Sequence, residues 1–230
     1  MFRRFGLFDF MKIFCIIPAL NEEKYISEAV TMVKPLVDEV VVVDDGSNDK
    51  TADLAHAAGA VVLTHVLNCG QGASLETGNQ YALSHGADII FHFDADGQFS
   101  AEDIPEVLAP LLAGEAEAVF GSRFMGKESN MPEFKKKVIM PAARLVNRWL
   151  LGIKLTDPQS GFRAMTATAW RKISIKQNGM AHASEILAKA VKNKIIIKEV
   201  PIKVIYRHFG QKFSGGIRII KDTILAKLME

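Results

Sequence analysis

The chain has 230 residues, 49% of them hydrophobic, and a formal net charge of +2 at pH 7. That is apolar content for one substantial core, and the weak charge gives no argument for a nucleic-acid binder, which would normally show a concentrated basic face. Cys15 and Cys69 stand at no metal-ligand or disulfide-framework spacing, so Cys15 reads as a core thiol in a reducing compartment.

Residues 1–10 interleave Phe2, Phe5, Leu7, Phe8 and Phe10 with Arg3 and Arg4, without the apolar run of a signal peptide or spanning helix. No other segment reaches the roughly 18 apolar residues that spanning requires. The expectation is a cytoplasmic chain, free or bound at the membrane surface. Residues 13–17 predict a first strand stopped by Pro18. A helix follows from about Glu22, with Ile26, Val30 and Val33 on one face, and ends before Pro35. Residues 40–43 form a strand apolar on both faces, as where helices cover a parallel sheet. Asp49 or Ser47 caps a helix carrying Thr51, Leu54 and Ala55; Gly59 ends it, and 60–63 returns as a strand. Residues 72–84 are helical in pattern and 89–93 form the next strand. Ser100 caps a helix with Ile104, Val107, Leu108 and Leu111 inward, and 118–120 closes the run. The alternation predicts an α/β fold with a Rossmann-like, mostly parallel central sheet flanked by helices. G-x-G-x-x-G is missing after the first strand, which weakens a dinucleotide reading.

The later chain is less regular. Residues 126–134 are polar, and 138–151 are amphipathic, with Val138, Ala142, Leu145, Val146 and Leu150 on one side. Residues 156–165 pass through Pro158-Gln159-Ser160-Gly161 into a short strand; a helix over 183–192 and an extended stretch over 195–206 follow. The tail, 217–229, sets Ile219, Ile220, Ile224, Leu225 and Leu228 among basic residues.

The chemistry gathers at strand ends. Asp94-Ala95-Asp96-Gly97-Gln98 follows an apolar strand and delivers hard oxygen ligands to the mouth of a sheet, where a divalent cation and a phosphate can meet. Asp96 is the best direct ligand, Asp94 binds directly or through water, and Gln98 either adds its amide oxygen or forms a turn. Asp44-Asp45 follows an earlier strand. Acids here also cap helices or form Asx-turns, but two clusters on one rim of a parallel sheet point to a ligand. Asp45 suits hydrogen bonds from a nucleobase or ribose. The glycines of Asn68-Cys69-Gly70-Gln71-Gly72-Ala73 either admit a donor close to the backbone or supply an unusual turn; the G-K-[ST] ending of a Walker loop is missing. His92 alternates with apolar neighbours and reads as a satisfied core histidine. Arg123, Arg163, Arg207 and Lys212 fall in short polar segments, and residues 198–221 hold six Lys or Arg against one acid. Charge-assisted phosphate recognition explains Arg207 and Lys212 around Gly210 better than surface solvation does.

These pieces resemble the family 2 glycosyltransferases of GT-A fold, within them the dolichyl-phosphate or polyprenyl-phosphate sugar synthase branch. The resemblance rests on residues 18–23, 43–51, 68–73, 94–98, 121–124 and 156–163, which run in family order over nearly the whole chain. It implies a single catalytic domain over 1–230, with about 12–125 binding the nucleotide sugar and 126–230 the acceptor. Pro18, Ala19, Asn21, Glu23 and Asp45 would line the donor pocket together with Gly70 and Gly72. Asp94, Asp96 and Gln98 would hold Mg2+ or Mn2+ against the diphosphate, with Arg123 facing substrate phosphates. Asp157 and Arg163 would shape the acceptor side, and Arg163, Arg207 and Lys212 would meet an acceptor phosphate. Two departures stand out. Gly70-Gln71-Gly72 replaces the usual Gly-Lys-Gly and so lacks one positive contact, and Gly210-Gln211-Lys212-Phe213-Ser214 replaces a glycine followed directly by Ser-Lys.

The expected reaction moves a hexosyl unit from a UDP- or GDP-sugar to a polyprenyl phosphate, with inversion at the anomeric carbon. An acceptor phosphate is already anionic, so Asp157 is not expected to serve as a strong base; a sugar-hydroxyl acceptor would raise that role. The alternatives are a transferase to a saccharide or other hydroxyl, and a nucleotide-sugar-binding regulatory subunit with little catalysis. A lipid acceptor would bring the mouth to the bilayer. Peripheral contact through residues 1–12 or 217–229, or an integral membrane partner supplying the anchor, would serve.

Overall fold

In the computed structural model, the described residues are 11–125, 155–179 and 181–204. They build a seven-stranded sheet in the order β3-β2-β1-β4-β6-β5-β7. The strands are β1 (Ile13–Ala19), β2 (Glu39–Asp44), β3 (Val61–Thr64), β4 (Ile89–His92), β5 (Ala118–Ser122), β6 (Arg163–Thr166) and β7 (Ile197–Pro201). Among them β6 alone runs antiparallel, wedged between β4 and β5. The helices are α1 (Ile26–Val33), α2 (Thr51–Ala57), α3 (Gln71–Ser84), α4 (Ile104–Leu112), α5 (Ala167–Arg171) and α6 (His182–Lys192).

Strand alternation sorts the apolar side chains into two cores. From β1 and β2, Ile13, Cys15, Ile17, Val40 and Val42 face one side, against Ile26, Val30 and Val33 of α1 and Ile104, Val107 and Leu111 of α4. Phe14, Ile16, Val41 and Val43 face the other, against Leu75 of α3, Trp170 of α5 and Ile186 and Leu187 of α6. Each fully buried aliphatic side chain contributes roughly 1.5–3 kcal/mol, so the valine run of β2 binds both helical layers. The sequence reading of a strand covered on both faces holds, and Cys15 is fully buried, as a core thiol should be.

Pro18 does not stop β1. The strand continues through Ala19, pairing Pro18 with Val43 and Ala19 with Asp44. Backbone groups alternate sides along a strand, and Ile16 carbonyl receives Phe93 N from the β4 side. The missing N–H of Pro18 therefore faces β4 at the end of its ladder, where little pairing is lost. Of the two cap candidates for α2, Asp49 accepts from Thr51 N at 2.9 Å, whereas Ser47 Oγ accepts from Asn21 N. The short helix α5 has no counterpart in the sequence reading; Thr166 caps it by accepting from Ala169 N. The amphipathic 138–151 stretch, residues 1–10, Arg207, Lys212 and the 217–229 tail lie outside the described residues. Among the described residues no helix is long and apolar enough to cross a membrane.

Candidate active site

Parallel strands put the carboxyl ends of β1, β2, β4 and β5 on one rim. Because β6 runs the other way, the segment leading into it arrives at that same rim. The sheet thus gathers residues 20–23, 44–48, 94–98, 123 and 157–163 from five stretches of sequence. Pro18 and Ala19 themselves are buried within β1, so what they offer the rim is backbone.

On the β2 side the loops clasp one another. Asn21 adopts a left-handed φ of 56°; its N–H donates to Ser47 Oγ and its Oδ1 accepts from Asn48 N, both at 2.9 Å. Glu22 N donates to Thr51 Oγ1 and Glu23 N to Asp49 Oδ2. Asp45, 4% exposed, accepts from Cys69 N at 2.9 Å and Gly70 N at 2.7 Å, and lies 2.7 Å from His65 Nδ1. Burial works to raise its pKa, but the bonds from His65, Cys69 and Gly70 outweigh it and hold the carboxyl below the usual range.

The glycine loop packs closely against another segment of the chain. A Cβ at Gly72 would lie 2.0 Å from Gln177 carbonyl oxygen, and one at Gly70 would lie 2.4 Å from that of Asn178. Gly72 N donates to Asn178 carbonyl at 2.8 Å. The close backbone approach that these glycines permit is taken by the chain's own 177–178 segment.

Asp94 and Asp96 follow β4. Asp94 Oδ1 accepts from Gln71 Nε2 at 3.1 Å, so Gln71 meets the acid even without a positive charge. Burial first, then the like charge of Asp96, pushes the Asp94 carboxyl up to about 6, against the pull of Arg163, Arg123 and Gln71. Asp96 accepts from Gln98 N at 3.0 Å and from its Nε2 at 2.6 Å. Gln98 thus braces Asp96 through both its backbone and its side-chain amide. Two mutually repelling carboxylates at a strand end suit a hard divalent cation.

The β5–β6 side is built on guanidinium groups. Arg123 grips Asp157 in a fork, Nε to Oδ2 at 2.6 Å and Nη2 to Oδ1 at 2.7 Å. Asp157 is wholly buried. Glu199 accepts from Thr156 N and Asp157 N and fixes the turn. With both oxygens on Arg123, Asp157 fixes this edge of the rim. Arg163 does not reach the surface as an acceptor-phosphate contact would: it is 1% exposed, opposite His92 across the β4–β6 ladder. Its Nε donates to His92 Nδ1 at 3.3 Å, and His92 Nε2 meets Asn79 Oδ1 at 2.8 Å. Burial lowers the Arg163 pKa to about 10, opposed by Asp94. His92, stacked on Trp170 with centroids 4.7 Å apart, is the core histidine expected.

Sequence reasoning missed several contributors. Glu22 has its pKa raised by burial and then by the like charges of Asp96 and Asp49. His65, Gln71 and His182 belong to the same rim or its support. Gln71 carried a signal, since it occupies the place where the family pattern has lysine.

Fold and rim together define a nucleotide-sugar transferase of GT-A architecture. The sequence matches the Glycosyl transferase family 2 description over residues 14–179, and the chain belongs to that family. It is 34% identical over 242 residues to UDP-N-acetylglucosamine–dolichyl-phosphate N-acetylglucosaminyltransferase of Methanococcus voltae, covering 94% of this chain and 96% of that protein. It is 33% identical over 220 residues to the undecaprenyl-phosphate mannosyltransferase of Micrococcus luteus, covering 90% and 89%. Glucosyl-3-phosphoglycerate synthase from Mycobacterium tuberculosis, solved with Mn2+, UDP and phosphoglyceric acid, shares the fold at a TM-score of 0.73. That match has 22% identity and covers 95% of this chain and 78% of the other. The chain is thus a glycosyltransferase of this family.

Proposed function

We propose that the chain moves a sugar from a nucleoside-diphosphate sugar to an acceptor oxygen, with inversion and with a divalent cation of the Mg2+ or Mn2+ class. The Asp94–Asp96 pair at the end of β4 carries this reading: two carboxylates held at close quarters, one pushed up to about 6 by its surroundings. Their hard oxygens fit such a cation, which when bound offsets charge on the departing diphosphate. Asp94, held by Gln71, and Asp96, held by Gln98, present the ligand atoms. Asp45 takes the nucleobase or ribose, and Asn21 and Glu23 fix the loop beside it. Arg123, fixed by Asp157, adds positive charge on the opposite flank.

For the acceptor, the solved structure named with phosphoglyceric acid supports a hydroxyl-bearing molecule, and that is the broader reading. The finer one is a polyprenyl phosphate. It draws on the relatives named as dolichyl- and undecaprenyl-phosphate enzymes, each aligned over nearly its full length. Arg207 and Lys212 are proposed for its phosphate, and peripheral binding at the cytoplasmic face, with or without a membrane partner, for its tail. Radiolabelled UDP- and GDP-sugars offered with polyprenyl phosphate, or with phosphoglyceric acid, test both. Organic-extractable label supports the lipid, water-soluble acid-linked label the hydroxyl. No transfer to either refutes both acceptor readings. Co-sedimentation with anionic vesicles at low salt, lost at high salt, tests the surface contact.

A further inference from the structure

We propose that Asp45, His65 and Cys69 form a binding site for a thiophilic divalent cation of the zinc class, separate from the Asp94–Asp96 pair. One ligand atom from each of the three lies within 4.8 Å of the others. They come from the end of β2, the residue just past β3, and the loop into α3. Each is pinned through its backbone: Asp45 N donates to Ala19 carbonyl, His65 N to Asp44 carbonyl, and Cys69 N to Asp45 Oδ1. His65 also carries the outer contact that orients a metal-bound imidazole, its Nε2 resting 2.9 Å from Thr77 Oγ1.

The cation would replace the proton between His65 Nδ1 and Asp45 Oδ1. Their 2.7 Å separation would open by about 0.5 Å to the ligand spacing of a tetrahedral site with bonds near 2.0 Å. Binding would shift the imidazole proton to Nε2, which then donates to Thr77 Oγ1, and would release the Cys69 thiol proton, leaving neutral imidazole, thiolate and carboxylate as ligands with water in the fourth place. Cys69 is exposed and its Sγ lies 3.3 Å from Leu67 carbonyl, so a side-chain rotation brings it to the ion. Ligand softness separates the two sites: sulfur and imidazole select zinc, whereas the all-oxygen Asp94–Asp96 pair selects magnesium or manganese. A consequence rests on the proposed donor role of Asp45. A carboxylate ligating zinc cannot also accept from a nucleobase, so zinc and nucleotide compete.

Zinc titration of the full chain by calorimetry, with Cd2+ as an ultraviolet thiolate charge-transfer probe, tests the site. The expected result is one zinc per chain and a cadmium–thiolate band. Cys69→Ser should abolish the band and weaken zinc at least tenfold, His65→Gln should weaken it similarly, and Asp96→Asn should leave it unchanged. Affinity unmoved by Cys69→Ser, or lost in Asp96→Asn, would overturn the site. Uridine and guanosine monophosphates form the second arm, whichever of them binds by its own titration being used. Zinc weakened several-fold by that nucleotide supports the competition. Cys69-dependent zinc binding that ignores it confirms the cation site and refutes the donor role of Asp45.

Discussion

Asp45 and Asp94 follow the two strands that flank β1, on one rim, and the protein treats their charges in opposite ways. Asp45 meets two backbone N–H groups and a histidine, which overcome burial and hold its pKa down. Asp94 meets one neutral amide, from Gln71, while burial and Asp96 push it up to about 6. Proximity to the sheet edge is common to both, so the difference lies in what the chain supplies. Donors are spent on Asp45 and largely withheld from Asp94. A carboxylate bonded by its own chain is fixed in one orientation and stays ionised; one left in mutual repulsion is disposed to take a hard cation. The contrast also separates the ligand chemistries of the rim, backbone-anchored on one flank and guanidinium-anchored on the other.

The largest effect that would test this contrast is loss of a carboxylate from the repelling pair. Asp96→Asn should lower turnover with a nucleotide sugar on the order of 10²–10³-fold, as for removal of a main electrostatic stabiliser, with an unchanged melting curve. Metal-dependent activity near the parent value in that variant would remove the acidic pair from the mechanism. Asp157→Asn probes the guanidinium flank and should act on stability. Removing one partner of a buried ion pair costs about 3–5 kcal/mol. Arg123 retains 21% side-chain exposure, which places the cost near the lower bound, about 3 kcal/mol by urea unfolding. A loss below about 1 kcal/mol would mean that the fork contributes no more than a surface pair.

Much of this contrast was legible before the fold was known. The valine run 40–43, the acids behind it and the Asp94–Gln98 cluster declare a parallel sheet with a ligand rim, because periodicity and strand-end acids are local signals. The antiparallel course of β6 is not local. It depends on β4 and β5 being apart to receive it, and this turns Arg163 from a surface contact into a buried partner of His92. The Gly70 and Gly72 positions announced a close approach without saying to what; the answer, residues 177–178, lies about a hundred residues away in sequence. His65 carried no pattern at all, since its role arises only when β3 pairs with β2.

A pH titration sharpens the comparison with histidines beneath the rim. Burial first, then Arg163, lowers the His182 pKa to about 4. The unfolded chain takes up that proton near pH 6.5, so between about 6.5 and 4 the unfolded state binds more protons and stability falls as the pH drops. The contribution is fully present above pH 6.5. Its loss by pH 4.5 amounts to roughly 2 kcal/mol. His182→Gln should therefore show a shallower decline in urea stability between pH 7 and 4.5 than the parent; parallel declines would show that this side chain protonates freely in the folded chain.

The smallest effect is also the most direct test of how Asp94 is held. A Cβ at Gly161 would lie 2.4 Å from Asp94 Oδ2, closer than van der Waals contact allows. The backbone there has little freedom to yield: Ser160 N donates to Asp157 carbonyl, Phe162 N to Ser160 Oγ, and Gly121 N to Phe162 carbonyl at 2.8 Å. The carboxylate must move instead, and moving it strains the contact with Gln71. Gly161→Ala should therefore weaken activation by Mg2+ or Mn2+ about tenfold, the scale of roughly 1.4 kcal/mol of lost positioning, at little cost to the fold. Because Asp45 is untouched, nucleotide binding without metal should be unchanged. If instead the variant keeps its metal dependence and loses nucleotide binding, Asp94 is not the acid that the cation needs, and the two carboxylates have been given each other's roles.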